Sequence, residues 1–317
     1  MKFKFDVIKN KKFTLLIAGV AILAGIVSFI IQGFNIDIDF SGGTEIQLNI
    51  SKNVGKDECE TINKIIEEKL GKKYVSSTTK STTDSNIAII RTGTAELTNE
   101  QQSTLLTELD KTFSIDHTKV ECEINSVSAT IGSGLIKTAI LSVLIAVVLM
   151  LGYITFRFKF SSALAAITCL IHDVLIMMTL YTIFQIPVNI NIIAALLTIL
   201  GYSINATIIL FDRVRENQKR DDTKPFGQIV NEATSQTVAR SVNTTLTTLL
   251  TIGMIYIFGV SSIRNFALPL IVGIVAGLFS SLFLSGMLWD SYAKFFSKFK
   301  KDKSGKKTKI SKKVKAK

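Results

Sequence analysis

Hydrophobic residues fall into six long runs along the chain: Phe13 to Ile31, Leu135 to Phe156, Ser161 to Phe184, Ile190 to Phe211, Ser241 to Val260 and Phe266 to Trp289. A helix needs about 20 apolar residues to cross a hydrocarbon core, so the pattern predicts a polytopic α-helical membrane protein with six transmembrane helices. The runs divide the chain into a short amino terminus (1–12), a first span (13–34), a polar stretch of roughly a hundred residues (35–134), a block of five spans (135–289) and a terminal segment (290–317).

The polar stretch has its own rhythm. Thr44 to Ile50 alternates as a strand, and Lys56 to Leu70 carries Ile62, Ile65, Ile66 and Leu70 at helical spacing, closed by Gly71. Tyr74 to Thr82 and Ile87 to Arg91 are β-rich runs separated by Asp84, Ser85 and Asn86. Thr98 with Gln101 forms a capping-box pattern ahead of Leu105, Leu106 and Leu109, and Lys119 to Ser128 reads as a last strand. The order is βαββαβ, a ferredoxin-like α+β arrangement with an antiparallel sheet. Such a fold serves many tasks, so by itself it says little about function.

Charge sets the orientation. Lys2, Lys4, Lys9, Lys11 and Lys12 precede the first run, Arg157 and Lys159 follow the second, and Arg213, Arg215, Lys219, Arg220 and Lys224 follow the fourth. The loops at Gln185 to Asn189 and Ser261 to Asn265 offer only Arg264. The positive-inside bias therefore predicts both termini in the cytoplasm and the 35–134 domain outside. That domain holds 10 Lys plus Arg against 16 Asp plus Glu, although the whole chain is +12. The basic excess is topological, which favours a membrane surface as partner and argues against nucleic acid. The tail from Lys294 carries twelve lysines and is expected to lie, without regular structure, against anionic lipid or to act only as a topology signal. Cys59 and Cys122 share the external domain, and spacing leaves open whether they pair. The first run is too long for an ordinary signal-peptide core and lacks a clean cleavage site, so it is expected to remain as an anchor.

Candidate chemistry is sparse. The only histidines are His117 and His172, too few for a three-histidine metal site, and no cysteine cluster exists, so neither a metal nor a cofactor is expected and an enzyme is not. Ser41-Gly42-Gly43-Thr44 lacks the lysine of a phosphate loop and reads as a tight turn from helix to strand. What remains is polar chemistry inside the spans. His172 and Asp173 sit mid-span in the third run, where a charge costs about 3 kcal/mol on insertion scales. Asn205 and Thr207 lie in the second half of the fourth, where an amide either marks a polar pathway or glues two helices. Arg240 opens the hydroxyl-rich fifth, as a functional cation or as a snorkelling boundary residue.

Four segments carry a resemblance: Ile36-Asp37-Ile38-Asp39-Phe40-Ser41-Gly42-Gly43-Thr44; His172-Asp173-Val174; Gly201-Tyr202-Ser203-Ile204-Asn205 with Phe211-Asp212-Arg213-Val214-Arg215-Glu216-Asn217; and Ser235-Gln236-Thr237-Val238-Ala239-Arg240-Ser241. In this order the chain resembles the SecF family, the smaller membrane subunits of the bacterial SecD–SecF auxiliary complex of the protein-export translocase, itself similar to resistance-nodulation-division transporters. The resemblance covers nearly everything up to about Phe299. It implies a multi-pass protein of the bacterial cytoplasmic membrane that uses the ion-motive force in late steps of export. The implied partners are a SecD-like subunit, the Sec translocase channel, exported polypeptide and membrane lipid. It also carries the role of the fifth-span functional arginine onto Arg240. Many family members have an aspartate where this chain has Ala206, between Asn205 and Thr207, which removes the local ion-coupling carboxylate. A half-transporter for small molecules and a membrane sensor with an external ligand-binding domain are the alternatives. The Asp-Phe-Ser-Gly-Gly-Thr motif and the small polar domain weigh against the first, and the lack of a cytoplasmic signalling domain against the second.

Overall fold

The computed structural model describes residues 6–80, 86–92, 96–115, 122–259 and 261–298. His117, the turn at Asp84 and Ser85, the first residues of the last expected strand and the lysine tail beyond Lys298 lie outside them. Among the described residues, six helices are long and apolar enough to cross a membrane. The chain divides into two compact units, one of residues 1–33, 144–184 and 195–317, the other of 34–143 and 185–194.

The second unit is built on a four-stranded antiparallel sheet. Its strands are β1 (Gly43–Asn49), β2 (Val75–Lys80), β3 (Ile87–Thr92) and β4 (Cys122–Val127), in the order β2-β3-β1-β4. Helix α3 (Lys56–Leu70) connects β1 to β2, and α4 (Asn99–Phe113) connects β3 to β4. The pairing Ile46 with Ile90 and Ile124 fixes the register, so that Ile46, Leu48, Ala88 and Ile90 point together into a core filled by Ile62, Ile66, Leu105 and Leu109. Each fully buried aliphatic side chain here is worth about 1.5–3 kcal/mol. Local chemistry sets the ends of the helices. Thr98 Oγ1 accepts from the Gln101 amide at 3.3 Å while Gln101 Oε1 accepts from the Thr98 amide at 3.0 Å, and α3 stops at Gly71, whose φ of 98° suits glycine. Cys59 and Cys122 are free thiols packed against the same core, and burial pushes both up from their ordinary range.

Before the sheet, α1 (Lys11–Gln32) is followed by the single-turn α2 (Ile38–Ser41). Asp37 caps α2 by accepting from the Ile38 amide at 2.7 Å. Gly42 and Gly43 then turn the chain into β1 with φ of 73° and 118°, a conformation that a side chain at either position would strain. The motif is thus a turn from helix to strand. Thr44 is fully buried; its amide donates to Thr92 Oγ1 and its own Oγ1 accepts from the Leu97 amide, both at 3.1 Å.

The remaining helices are α5 (Ala129–Arg157), α6 (Phe160–Phe184), α7 (Asn191–Arg220), α8 (Phe226–Phe258) and α9 (Ser261–Phe279). After α9 the last span passes through a π turn, Ser280–Leu284, and continues helical to Lys298. The apolar runs understate two of these helices. Helix α7 continues through the charged segment to Arg220, and α8 begins at Phe226 rather than at Ser241, because its early turns bury Ile229, Val230 and Ala233 against Leu210, Phe211 and Trp289.

Within the first unit, small residues let helices approach. A Cβ at Gly273 would collide with the Ile199 side chain, and one at Gly277 would stand 3.2 Å from Ser203 Cβ. Gly273 and Gly277 form a small-xxx-small pair through which α9 packs on α7. Because Ile199 is β-branched and buried, Gly273→Ala is expected to destabilise the purified protein by about 1–3 kcal/mol. Gly19→Ala, inside α1 with open space around the added carbon, should leave thermal unfolding unchanged or raise it slightly, and equal behaviour of the two variants would count against the close packing.

Candidate functional site

The structure separates the polar residues of the spans into an inner and an outer set. The inner set is centred on Asp173 of α6, which has no solvent exposure. Two hydroxyls donate to one carboxylate oxygen: Ser203 of α7 lies 2.5 Å from Oδ2, and Ser280, the first residue of the π turn, lies 2.8 Å from it. His172 Nδ1 is 2.9 Å from the other oxygen, Oδ1. One carboxylate therefore ties α6, α7 and the last span together, with its oxygens already occupied by bundle partners. Thr207, one turn beyond Ser203, is also buried, and Thr237 of α8 turns its hydroxyl back to the Ala233 carbonyl at 3.0 Å. Helices α7 and α8 are joined nearby by Tyr202, whose hydroxyl donates to Thr245 Oγ1 at 2.9 Å.

The outer set faces away. Asn205 is two residues from Ser203, about 200° around a helix, so it projects from the opposite side of α7, where Gly201 is exposed with it. On α8, Arg240, Asn243, Thr244, Thr247 and Thr251 are all exposed. Their spacing places them on one helical face. The Arg240 guanidinium thus stands on an open polar stripe and not within the bundle.

Beside the apolar packing of α7 on α8, Gln236 of α8 holds the charged end of α7 through polar bonds. Arg213 Nε donates to Gln236 Oε1 at 2.6 Å and Asn217 Nδ2 donates to the same oxygen at 2.9 Å. Glu216 accepts from Arg213 and pairs with Arg220, Asp212 pairs with Arg157 at 3.5 Å, and Arg215 is exposed. Two motifs far apart in sequence thus set the register of α8 one turn before Arg240. In the sheet unit, Asp39 Oδ2 accepts from the Ile190 amide at 2.9 Å. Among the described residues no group of three His, Cys, Asp or Glu is placed to hold a metal ion.

Ser203 and Ser280, the hydroxyls that hold Asp173, were not singled out from the sequence. A pair of serines, Ser280 and Ser281, inside an otherwise apolar run was the signal available. Arg91, buried in the sheet unit between two carboxylates, was likewise missed.

Known proteins resemble this chain over most of its length. The family model for the protein export membrane protein SecD/SecF, C-terminal, matches residues 107–294. The protein translocase subunit SecF of Sebaldella termitidis is 38% identical over 296 residues, covering 92% of this chain and 93% of the relative. SecF of Alicyclobacillus acidocaldarius is 34% identical over 292 residues, covering 91% and 93%. The crystal structure of SecDF from Thermus thermophilus, a translocon-associated membrane protein, superposes with a TM-score of 0.79 at 32% identity over 92% of this chain, which spans 39% of that longer one. On the family match over most of its length, and on relatives of its own size, the chain belongs to the SecF family of protein translocase subunits.

Proposed function

We propose that this protein is the SecF half of a SecD–SecF pair that assists late steps of export by the Sec translocase, drawing on the ion-motive force. The observation that carries the proposal is the open polar stripe of Arg240, Asn243, Thr244, Thr247 and Thr251, together with Asn205 on α7. An arginine facing hydrocarbon costs about 3 kcal/mol or more, so the stripe needs a polar partner. The SecDF proteins of Bacillus subtilis and Thermus thermophilus join both names in one chain, of which the present sequence spans 38% and 36%. The remaining three fifths or so of each leaves room for a second, larger portion. In this reading the sheet unit, with its βαββαβ order and two crossing helices, is a ferredoxin-like domain outside the membrane that moves with exported polypeptide and performs no covalent chemistry. The exported chain, the translocase channel and lipid are its other partners, and both termini are cytoplasmic.

The reading predicts a stable complex. Solubilised from membranes in mild detergent, the chain should co-purify with a SecD-like protein of similar span number, and Arg240→Leu or Asn243→Leu should weaken that association. A fully export-active, monodisperse monomer would overturn the two-subunit reading.

A further inference from the structure

The sheet unit contains a buried ion cluster that ties it to the connection between α6 and α7. Asn35 Nδ2 donates to the Gln185 carbonyl at 2.8 Å, the Val188 amide donates to the Asn35 carbonyl at 2.8 Å, and the Asp37 amide donates to the Val188 carbonyl at 3.2 Å. Asp39 adds its bond from the Ile190 amide. Arg91 of β3 closes the arrangement: Nη1 donates to Asn35 Oδ1 at 2.9 Å, Nε donates to Glu45 Oε2 at 2.7 Å, and Nε lies 3.5 Å from Asp37 Oδ1. Arg91, Glu45 and Asp37 are 4%, 7% and 7% exposed. One guanidinium thus serves two buried carboxylates from different elements, and the amide it holds reaches the α6–α7 connection. Helix α7 starts in that connection and runs on, unbroken, to Ser203 and Asn205.

We propose that Arg91 is a positioning residue that fastens the sheet to the α6–α7 connection, and that the balance of Asp37 and Glu45 against its single charge sets how firmly the connection is held. What pulls on the connection, a shift of α7 during ion-driven export, rests on the function proposed above; the latch itself does not. The charged groups facing Asp37 are Glu45 from β1, Arg91 from β3 and Asp39 from its own segment, while residues 185–190 bring none. Burial, and then the Glu45 charge, push the Asp37 carboxyl up to about 6 against the pull of Arg91. The folded cluster therefore holds a proton that the unfolded chain releases nearer 3.8. Acidification from about pH 6 toward about pH 4 favours the folded cluster, and ionisation above about pH 6 adds a negative charge that Arg91 cannot balance. The connection is held most firmly on the acid side.

Hydrogen exchange of the full-length protein in lipid nanodiscs tests this at the Val188 and Ile190 amides, after correction for intrinsic exchange rates. Between about pH 5 and about pH 8 their protection should fall by about tenfold, the equivalent of one pKa unit. Asp37→Asn retains an acceptor for the Ile38 amide and should hold protection at the acid-side level throughout. Arg91→Gln should lose it at every pH. The Ile46 and Ile90 amides report whether the sheet remains folded; if Arg91→Gln exposes them, the comparison of Asp37→Asn with the unsubstituted protein decides alone. Protection that does not change with pH, or a pH dependence retained by Asp37→Asn, would overturn the latch. Failure to co-purify a SecD-like partner would overturn the functional reading and leave the latch standing.

Discussion

Replacing Arg240 by leucine should abolish the part of export that responds to an imposed ion gradient, reducing it to the rate seen without a gradient, while ATP-driven insertion continues. A relay needs a group that changes charge, and between Gly201 and Leu210 the sequence has no Asp, Glu, His, Lys or Arg. On the function proposed above, the exposed Arg240 would pair with a carboxylate of a SecD-like partner when that group is ionised and release it when it is protonated. The Gln236 junction fixes where that cation stands. Arg240→Lys keeps the charge but loses the planar fork and should retain a reduced response; Asn205→Ala should weaken the response only in part. Vesicles reconstituted with the translocase, with and without an imposed gradient, supply the measurement. A full gradient response in Arg240→Leu would make the arginine a topological anchor.

The second large effect is on stability. Asp173→Ala removes the acceptor for Ser203, Ser280 and His172 at once in a buried site, and should cost about 2–4 kcal/mol. Ser203→Ala removes one donor and should cost about 0.6–1.7 kcal/mol, the average and the upper end for single hydrogen bonds between membrane helices. Thermal unfolding of the purified complex should rank the variants in that order. A reversed order, or no loss in Asp173→Ala, would show that the carboxylate does not join the three helices. This predicted role separates Asp173, which orients the bundle from inside, from Arg240, which acts at its surface.

Much of the fold was readable because its signals are local. A run of about 20 apolar residues has few fates other than a spanning helix, and the alternation around Ile46 and Leu48, the stripe of Ile62 to Ile66 and the Thr98 to Gln101 box each specify their element within a few residues. The start of α8 was not readable from hydropathy, because the turns from Phe226 to Arg240 are held by burial of one face and by Gln236 rather than by overall apolarity. The site was legible in its residues and not in its partners. His172, Asp173, Asn205, Thr207 and Arg240 are conspicuous as polar groups in apolar runs, but Asp173 finds its hydroxyls 30 and 107 positions away, and Arg91 finds Glu45 at 46. That Asn205 and Ser203 face opposite ways follows from helical periodicity once the helix is granted; which face meets a partner does not.

The bond between Asn35 and Gln185 joins residues 150 positions apart. At a synthesis rate of about 5–20 residues per second, the α6–α7 connection is made about 8–30 s after Asn35. By the time α6 is complete, every strand of the sheet has already been synthesised, yet Asn35, Asp37 and Asp39 must wait for the loop that satisfies them. Biogenesis of the sheet unit is therefore a two-stage event, in which a domain translated early takes its last contacts only when the third and fourth spans have entered the bilayer.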